Sequence, residues 1–148
     1  MIYFGPMNFL EEAIGIATLA HQGQTDRYGA PYVLHPLRVM GRVDTDAEKT
    51  VAALHDVVED TDWTLDQLRE RGFPEAILQA VDCLTKREGE AYEDLIQRAA
   101  GNPLARRVKV ADLEDNLDLR RAPEISPQDV DRINKYLRAW RRLSAHAG

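Results

Sequence analysis

The chain has 148 residues, close to the usual size of one domain, and 44% of them are hydrophobic, which is enough for a single sizeable core. Its net charge of −6 and pI near 5.2 disfavour binding to a nucleic-acid polymer, which normally requires a basic face. An acidic protein can still bind a polyphosphate if a cation or a local basic cluster neutralises the phosphates.

The sequence also restricts compartment and processing. Cys83 is the only cysteine, which excludes a disulfide framework and a thiolate metal site and fits a reducing cytoplasm. Glu11 and Glu12 interrupt the apolar N-terminal stretch, which has no basic start, so we expect no signal peptide. No segment approaches the length of a transmembrane helix, so we expect no membrane partner. Met7 follows a short apolar lead and could be a second start site.

Capping pairs and helical spacing predict helices along nearly the whole chain. The first predicted helix begins at the pair Asn8 and Glu11 and runs to Ala20, the second begins near Pro36, and the third is capped by Asp46 and covers about 47–57. The fourth begins at the pair Thr64 and Gln67 and ends at Gly72. The remaining helices are predicted over 74–84, 92–100 and 104–119, and from Ser126 to about Ser144. No alternating strand pattern or internal repeat interrupts them. The predicted fold class is therefore all-α, a compact helical bundle forming one domain.

Four side chains from three separate segments suit one divalent metal ion: His35, His55, Asp56 and Asp112. Imidazole nitrogen together with carboxylate oxygen favours Mn²⁺, Fe²⁺ or Zn²⁺ over Ca²⁺, which prefers oxygen alone. His55 and Asp56 are neighbours and would point roughly 100° apart on a regular helix. Both reach one ion only where a helix ends, and the predicted end near residue 57 provides such a place.

Two further acids, Glu59 and Asp60, follow this pair within about one helical turn. An acidic pair beside a metal can take the proton of an attacking water, so convergence of the three segments would create a metal-assisted hydrolase. Adjacent carboxylates titrate as a coupled pair, so the sequence does not divide acid from base between them.

Each segment also has an ordinary structural explanation. His35 can bond the backbone at the start of a helix, and a lone His-Asp dipeptide is common. Asp112 lies among apolar residues, where a carboxylate is costly to bury unless it is paired. Lys109 lies three residues earlier and could be its salt-bridge partner. The conjunction of all three segments favours the metal site.

The motifs resemble the HD hydrolase domain of RelA/SpoT-type proteins. They are residues 27–36 (RYGAPYVLHP), residues 54–61 (LHDVVEDT) and residues 108–112 (VKVAD), followed by Asn116, in the order and spacing of that family. The resemblance covers about residues 10–119 and implies a helical bundle of the HD-domain phosphohydrolase type, with residues 1–148 as one domain and a C-terminal helix at about 126–144.

The family's activity is removal of the 3′-pyrophosphate from the alarmones of the stringent response, guanosine tetraphosphate and pentaphosphate (ppGpp and pppGpp), usually with Mn²⁺. The resemblance thus implies that the products are GDP or GTP and pyrophosphate. A chain of this length has no room for the synthetase domain of the long members. Its layout is that of a stand-alone small alarmone hydrolase, similar to the metazoan SpoT homologs.

Carried over residue by residue, the resemblance implies that His35, His55, Asp56 and Asp112 are the metal ligands. It also implies that Glu59 and Asp60 orient or deprotonate the attacking water. Asn116 matches an asparagine that contacts the nucleotide.

Local cations must bind an anionic nucleotide in an acidic protein. Our candidates, beside Asn116, are Arg27, Lys86, Arg87 and Lys109. Arg27 lies in a glycine-flanked loop and could reach a phosphate or stack on a base. Lys86 and Arg87 could instead belong to a solvated turn.

Two departures from the family pattern affect the expected specificity. After Asp112 the long members typically continue Arg-Leu-His-Asn, whereas this chain continues Leu113-Glu114-Asp115-Asn116. Asp26 stands where many of these hydrolases carry a basic residue, which leaves Arg27 alone in the loop. Both changes would weaken binding of a highly charged nucleotide if the side chains face the site.

Three functions therefore remain open: an alarmone hydrolase, a metal-dependent phosphohydrolase of another phosphorylated nucleotide, and a nucleotide-binding module without turnover. The acidic pair beside four ligands argues against the third, because a binding module needs no water-activating group. The last helix has an apolar stripe (Val130, Ile133, Leu137 and Trp140) that either completes the core or faces a second copy, so a homo-oligomer is one expectation.

Overall fold

The computed structural model describes residues 1–145 and confirms the all-α fold. Its helices are α1 (Phe9–Ala20), α2 (Leu34–Met40), α3 (Asp46–Leu54), α4 (Val57–Asp60), α5 (Leu65–Glu70), α6 (Glu75–Leu84), α7 (Tyr92–Ala100), α8 (Pro103–Asn116) and α9 (Pro127–Ser144), with a 3₁₀ turn at Leu119–Arg121. Within this part of the chain, no helix is long and apolar enough to cross a bilayer.

Capping boxes begin four of these helices, because a side chain accepts a backbone N–H while the third helical residue bonds back. The predicted pairs at Asn8, Thr64 and Ser126 are confirmed. The third helix differs from its prediction: Thr45, not Asp46, is its cap, since the Thr45 hydroxyl accepts the Glu48 N–H. It also ends at Leu54, three residues before the predicted end.

Helix α3 is the central element of the bundle, and its residues 50–54 are all buried. It packs against α1, α2, α6 and α8. Because α3 is buried on every side, it has small or branched apolar residues, such as Val51 and Ala52, at positions where a surface helix would have polar residues on its outer face. The C-terminal end of α3 therefore lies in the interior of the bundle.

Helix α9 packs on α7 and α8 through a second hydrophobic cluster. Ala139 and Leu143 are buried there, with Tyr136 and Trp140 packed against them. Of the predicted apolar stripe, Trp140 joins this cluster, whereas Val130 is 47% exposed. Packing places the polar flank of α9 beside the end of α3.

The loop between α1 and α2 is held by its own side chains. Asp26 Oδ1 accepts the N–H groups of Tyr28 (2.8 Å) and Ala30 (3.0 Å), and Thr25 pairs with Pro31 in an isolated antiparallel bridge. Gly29 has φ of +87°, a conformation that an L side chain rarely adopts. This turn directs the chain into α2, which carries His35.

Candidate metal centre

The junction between α3 and α4 brings two neighbouring polar side chains together. His55 follows the end of α3 as its C-cap and still has a helical backbone conformation. The backbone leaves regular helix geometry at Asp56, with φ −105° and ψ −2°, and α4 starts at Val57. The backbone thus opens between the two helices, as the sequence predicted for a helix end. His55 Nε2 and Asp56 Oδ2 lie 3.1 Å apart as a result.

Two other helices complete the group. His35 from α2 places its Nε2 3.0 Å from Asp112 Oδ1 and 3.6 Å from Asp56 Oδ2. Asp112 from α8 also lies 3.5 Å from His55 Nε2. The structure therefore brings together the four side chains that the sequence predicted as metal ligands, from three segments far apart along the chain.

Hydrogen bonds on the far side of each imidazole fix which nitrogen faces the group. Ala52 O lies 2.6 Å from His55 Nδ1, and Asp115 Oδ2 lies 2.7 Å from His35 Nδ1. A carbonyl and a carboxylate can only accept, so both Nδ1 atoms carry a proton. Both Nε2 lone pairs then face the carboxylates of Asp56 and Asp112.

Lone pairs facing carboxylates at 3.0–3.6 Å repel unless a proton or a cation lies among them. His55 Nε2 is buried and has no hydrogen-bond partner among the described residues. Despite burial, which lowers it, the pKa of His55 is raised well above its usual value by Asp56 and Asp112. His35, His55 and Asp56 bring their ligand atoms within 4.8 Å of one another, and Asp112 Oδ1 lies 3.0 Å and 3.5 Å from the two imidazole Nε2 atoms, so these nitrogens and oxygens form a group that fits a divalent metal ion.

Asp112 uses its two oxygens for different partners. Its Oδ2 accepts a hydrogen bond from Lys109 Nζ at 2.8 Å, which is the salt bridge considered from sequence. Its Oδ1 faces the two imidazoles and accepts from Asn116 Nδ2 at 3.0 Å. The salt bridge and the metal-ligand position are thus compatible. Burial and Lys109 act oppositely on this carboxyl, and the net effect holds the pKa of Asp112 well below its usual range.

The acidic pair lies beside this group. Asp56, Glu59 and Asp60 each bring a carboxylate oxygen within 4.8 Å of the others. Partial burial and the neighbouring charges of Asp56 and Glu59 raise the pKa of Asp60 to about 6. Glu59 Oε1 accepts the backbone N–H of Lys86 at 2.6 Å, which fixes it at the edge of the site.

A cavity of about 460 Å³ opens above the four side chains, within the usual range for small-molecule sites. Of the predicted site residues, it is lined by His35, His55, Asp56, Asp112, Glu59, Asp60, Arg27, Lys86, Lys109 and Asn116. Arg87 is the exception, because its guanidinium lies 3.3 Å from Asp82 Oδ2 and it does not line the cavity. The turn that carries both basic residues directs only Lys86 inward.

The cavity also has cationic and aromatic residues that sequence reasoning missed: Arg121, Arg132, Lys135, Tyr92 and Tyr136. Tyr32, for which the sequence favoured core packing over stacking on a ligand, lines the cavity as well. Lys135 Nζ lies 4.6 Å from the ring centre of Tyr92 and 5.5 Å from that of Tyr136. The helical spacing of Arg132, Lys135 and Tyr136 was the available signal, and the sequence analysis considered only the apolar stripe of the same helix.

Two rim residues pair with one acid. Asp129 Oδ1 lies 2.5 Å from Arg27 and 3.1 Å from Arg132. The carboxylate is almost fully buried and also caps α9 with Ser126. Arg27, which the sequence left as the lone cation of its loop, is therefore one of two arginines held at the rim by α9.

The two departures from the family pattern differ in their relation to the cavity. Leu113 is buried in the second hydrophobic cluster, and neither Glu114 nor Asp115 lines the cavity. Asp26 does line it, but its carboxylate organises its own loop and lies 3.6 Å from Arg121. The condition under which these changes would weaken nucleotide binding is therefore met by Asp26 but not by Glu114 or Asp115.

Comparisons with known proteins bear on these observations. No protein-family model matches the chain. A guanosine-3′,5′-bis(diphosphate) 3′-pyrophosphohydrolase of Aquifex aeolicus is 33% identical over 120 residues, covering 73% of this chain and 17% of that protein. A probable GTP pyrophosphokinase of Mycobacterium leprae is 35% identical over 124 residues, covering 75% of this chain and 16% of that protein. The chain thus spans about one sixth of the length of these curated relatives.

A solved structure has the same fold. It is that of a metazoan ortholog of SpoT that hydrolyses ppGpp, and it matches with a TM-score of 0.77 and 23% identity over 95% of this chain and 88% of that one. The resemblance predicted from the motifs is therefore confirmed: the chain is similar in sequence to part of the RelA/SpoT-type proteins and shares its fold with a metazoan member of that group.

Proposed function

We propose that this protein is a metal-dependent phosphohydrolase that removes the 3′-pyrophosphate of ppGpp and pppGpp, giving GDP or GTP and pyrophosphate. We also propose that residues 1–148 act as a single domain and that the metal is Mn²⁺. Support comes from relatives named as 3′-pyrophosphohydrolases and from a fold shared with a protein that hydrolyses ppGpp. The cytoplasmic location and the homo-oligomer stay predictions.

One observation carries the proposal: a buried His/Asp group and several basic side chains line one cavity. His35, His55, Asp56 and Asp112 would hold the metal at its floor. When bound there, a divalent cation would supply a water of lowered pKa and neutralise phosphoryl oxygens. The fit rests on the buried, unpartnered His55 Nε2 and on the four facing donor atoms.

The acidic pair provides the proton acceptor. Water attacks the phosphorus attached at the ribose 3′-oxygen, the new P–O bond forms and the bond to the 3′-oxygen breaks. Glu59 or Asp60 accepts the proton from the water and returns it to the 3′-oxygen, which leaves as the ribose hydroxyl. The raised pKa of Asp60, about 6, suits a group that exchanges a proton near neutral pH.

The side chains above the floor are suited to a polyphosphate. Lys86 and Lys109 lie at the cavity wall near the acidic pair and Asp112, and Asn116 reaches Asp112 from the next helical turn. Arg27 and Arg132 stand at the rim. We propose that these residues, without Arg87, bind the phosphates, and that Tyr92 or Tyr136 offers a face to the base.

The second candidate, a different phosphorylated nucleotide, loses the observation that favoured it. It depended on Glu114 and Asp115 facing the substrate, and neither lines the cavity. Six basic side chains line it (Arg27, Lys86, Lys109, Arg121, Arg132 and Lys135) beside six carboxylates (Asp26, Asp56, Glu59, Asp60, Asp112 and Asp118). A divalent metal held by Asp56 and Asp112 would offset part of the negative charge, so that a highly charged nucleotide matches the cavity.

The experiment is pyrophosphate release from ppGpp by the purified protein, with Mn²⁺ and with a chelator. We expect GDP and pyrophosphate in equal amounts with Mn²⁺ and no release with the chelator. H55Q should be inactive, whereas D131N, which changes an exposed carboxylate on α9, should retain full activity. Metal-independent release, or no release from folded protein that binds Mn²⁺, would refute the proposal.

A further inference from the structure

Asp115 of α8 is fully buried and lies behind two residues that line the cavity, His35 and Arg121. Its Oδ2 lies 2.7 Å from His35 Nδ1 and 3.4 Å from Arg121, and its Oδ1 accepts from Arg38 Nε at 2.8 Å. A carboxylate without solvent contact is costly unless it is fully paired, and here both oxygens have donors.

We propose that Asp115 is the positioning residue of the metal centre: it holds the proton of His35 on Nδ1 and thereby aims the Nε2 lone pair at the metal position. The proposal rests on the proposed metal ligands but not on the nature of the substrate. Metal-binding histidines commonly donate their other ring N–H to a carboxylate, which fixes the ring and makes it a stronger ligand. In His55 a backbone carbonyl, Ala52 O, has the corresponding place.

The arginines around Asp115 keep this arrangement in one orientation. Arg38 binds Oδ1, Arg42 lies 3.9 Å from the same oxygen, and Arg121 also donates to the Asp115 backbone carbonyl at 2.9 Å. Every side-chain partner of the two oxygens is a donor, so Asp115 acts as an acceptor toward His35, Arg38 and Arg121.

Replacing the carboxylate by an amide, in D115N, changes what His35 can do. The amide has one oxygen and one NH₂, and Arg38 cannot lose its proton, so the oxygen faces Arg38. The NH₂ then faces His35 Nδ1 and favours the form of the ring with its proton on Nε2. That proton occupies the lone pair that the metal needs, so metal binding is weakened while the size of the side chain is unchanged.

The first test measures Mn²⁺ affinity of the purified full chain by calorimetric titration. We expect D115N to bind Mn²⁺ about 10- to 100-fold more weakly, the usual effect of removing such a partner. The matched control is E114Q, which removes the same charge from the neighbouring residue of α8 outside the cavity and should bind within twofold of the unmodified protein. A merely structural role would lower the melting temperature in chelator without changing the affinity.

The second test does not depend on folding of the variant. In the unmodified protein loaded with Zn²⁺, a long-range ¹H–¹⁵N spectrum should show His35 with a protonated Nδ1 and an unprotonated Nε2. An unprotonated Nδ1, or D115N affinity within twofold of the unmodified protein, would overturn the inference. If the unmodified protein and E114Q bind no Mn²⁺, the metal centre itself is wrong and the inference falls with it. Binding of Mn²⁺ without ppGpp hydrolysis would refute only the proposed substrate.

Discussion

Asp112→Asn tests the metal centre at the residue with the most partners. Both carboxylate oxygens are in use, since Oδ2 accepts from Lys109 at 2.8 Å and Oδ1 faces His35 at 3.0 Å. The amide keeps the shape but removes the charge, so it deprives the metal of an anionic ligand and Lys109 of its counter-ion. These two losses have different signatures.

The loss of the counter-ion affects the protein without metal. The side chain of Lys109 is 14% exposed, and that of Asp112 is 6% exposed, so the pair is nearly buried. Breaking a buried pair from one side costs about 3–5 kcal/mol, and the remaining exposure at the cavity places the expected loss near the low end, about 3 kcal/mol. For a domain of this size that lowers the melting temperature by about 6–12 °C.

The loss of the ligand affects the response to metal. Mn²⁺ at about 100 times its dissociation constant stabilises the unmodified protein by about 2.7 kcal/mol. We expect that gain to disappear in D112N, together with turnover of ppGpp, while the helix content stays nearly unchanged. Urea unfolding followed by circular dichroism, with Mn²⁺ and with a chelator, separates the two effects; D131N is the matched control.

Two results would refute this reasoning. Undiminished stabilisation by Mn²⁺ and full turnover in D112N would mean that Asp112 serves only as the salt-bridge partner of Lys109. Unchanged stability of D112N in chelator would mean that the Asp112–Lys109 ion pair contributes nothing to the free energy of unfolding, because solvent stabilises the charge of Lys109 equally well.

Three further outcomes are expected. Glu59→Gln should keep Mn²⁺ binding but slow kcat by ~10²-fold or more, because the amide cannot accept a proton; turnover retained at the original rate would move that role to Asp60 or to the metal alone. Removing metal with a chelator should stop turnover and lower the melting temperature without changing helix content, because the imidazole lone pairs and carboxylates then face one another; undiminished turnover would contradict the site. Arg87→Ala should leave KM within about twofold, whereas Arg132→Ala should raise KM by ~10-fold through loss of a charged hydrogen bond. If steady-state kinetics showed the opposite, a large effect for Arg87 and none for Arg132, the substrate would bind beside Arg87 and not beside α9.

Local signals in the sequence were enough for the helices and the floor of the site. Capping boxes depend on residues three apart, so the starts at Asn8, Thr64 and Ser126 could be predicted without tertiary information. The choice of Asp46 over Thr45 as a cap was wrong although the signal was present, because Glu48 lies three residues after Thr45 and completes a capping box, whereas Lys49 lies three residues after Asp46. The four ligand residues were predicted because few other roles explain two imidazoles and two acids in such spacing.

The wall of the cavity could not be predicted in the same way. Arg132 and Lys135 lie in a helix whose charges look solvated, and they reach the site only because α9 packs on α7 and α8. Arg87 and Lys86 are adjacent and chemically alike, yet the turn after α6 directs one to the cavity and the other to Asp82. Asp115 looked like a change of specificity and proved to be a partner of His35.

The sequence by itself therefore determined the all-α fold, the ends of most helices and the residue types at the metal centre, because these depend on near neighbours and on the chemistry of the side chains. Only the tertiary structure decided which basic side chains line the cavity and which acid contacts His35 from behind. Those assignments depend on how helices distant in sequence pack, and a helix pattern gives no information on which neighbour a charged side chain meets.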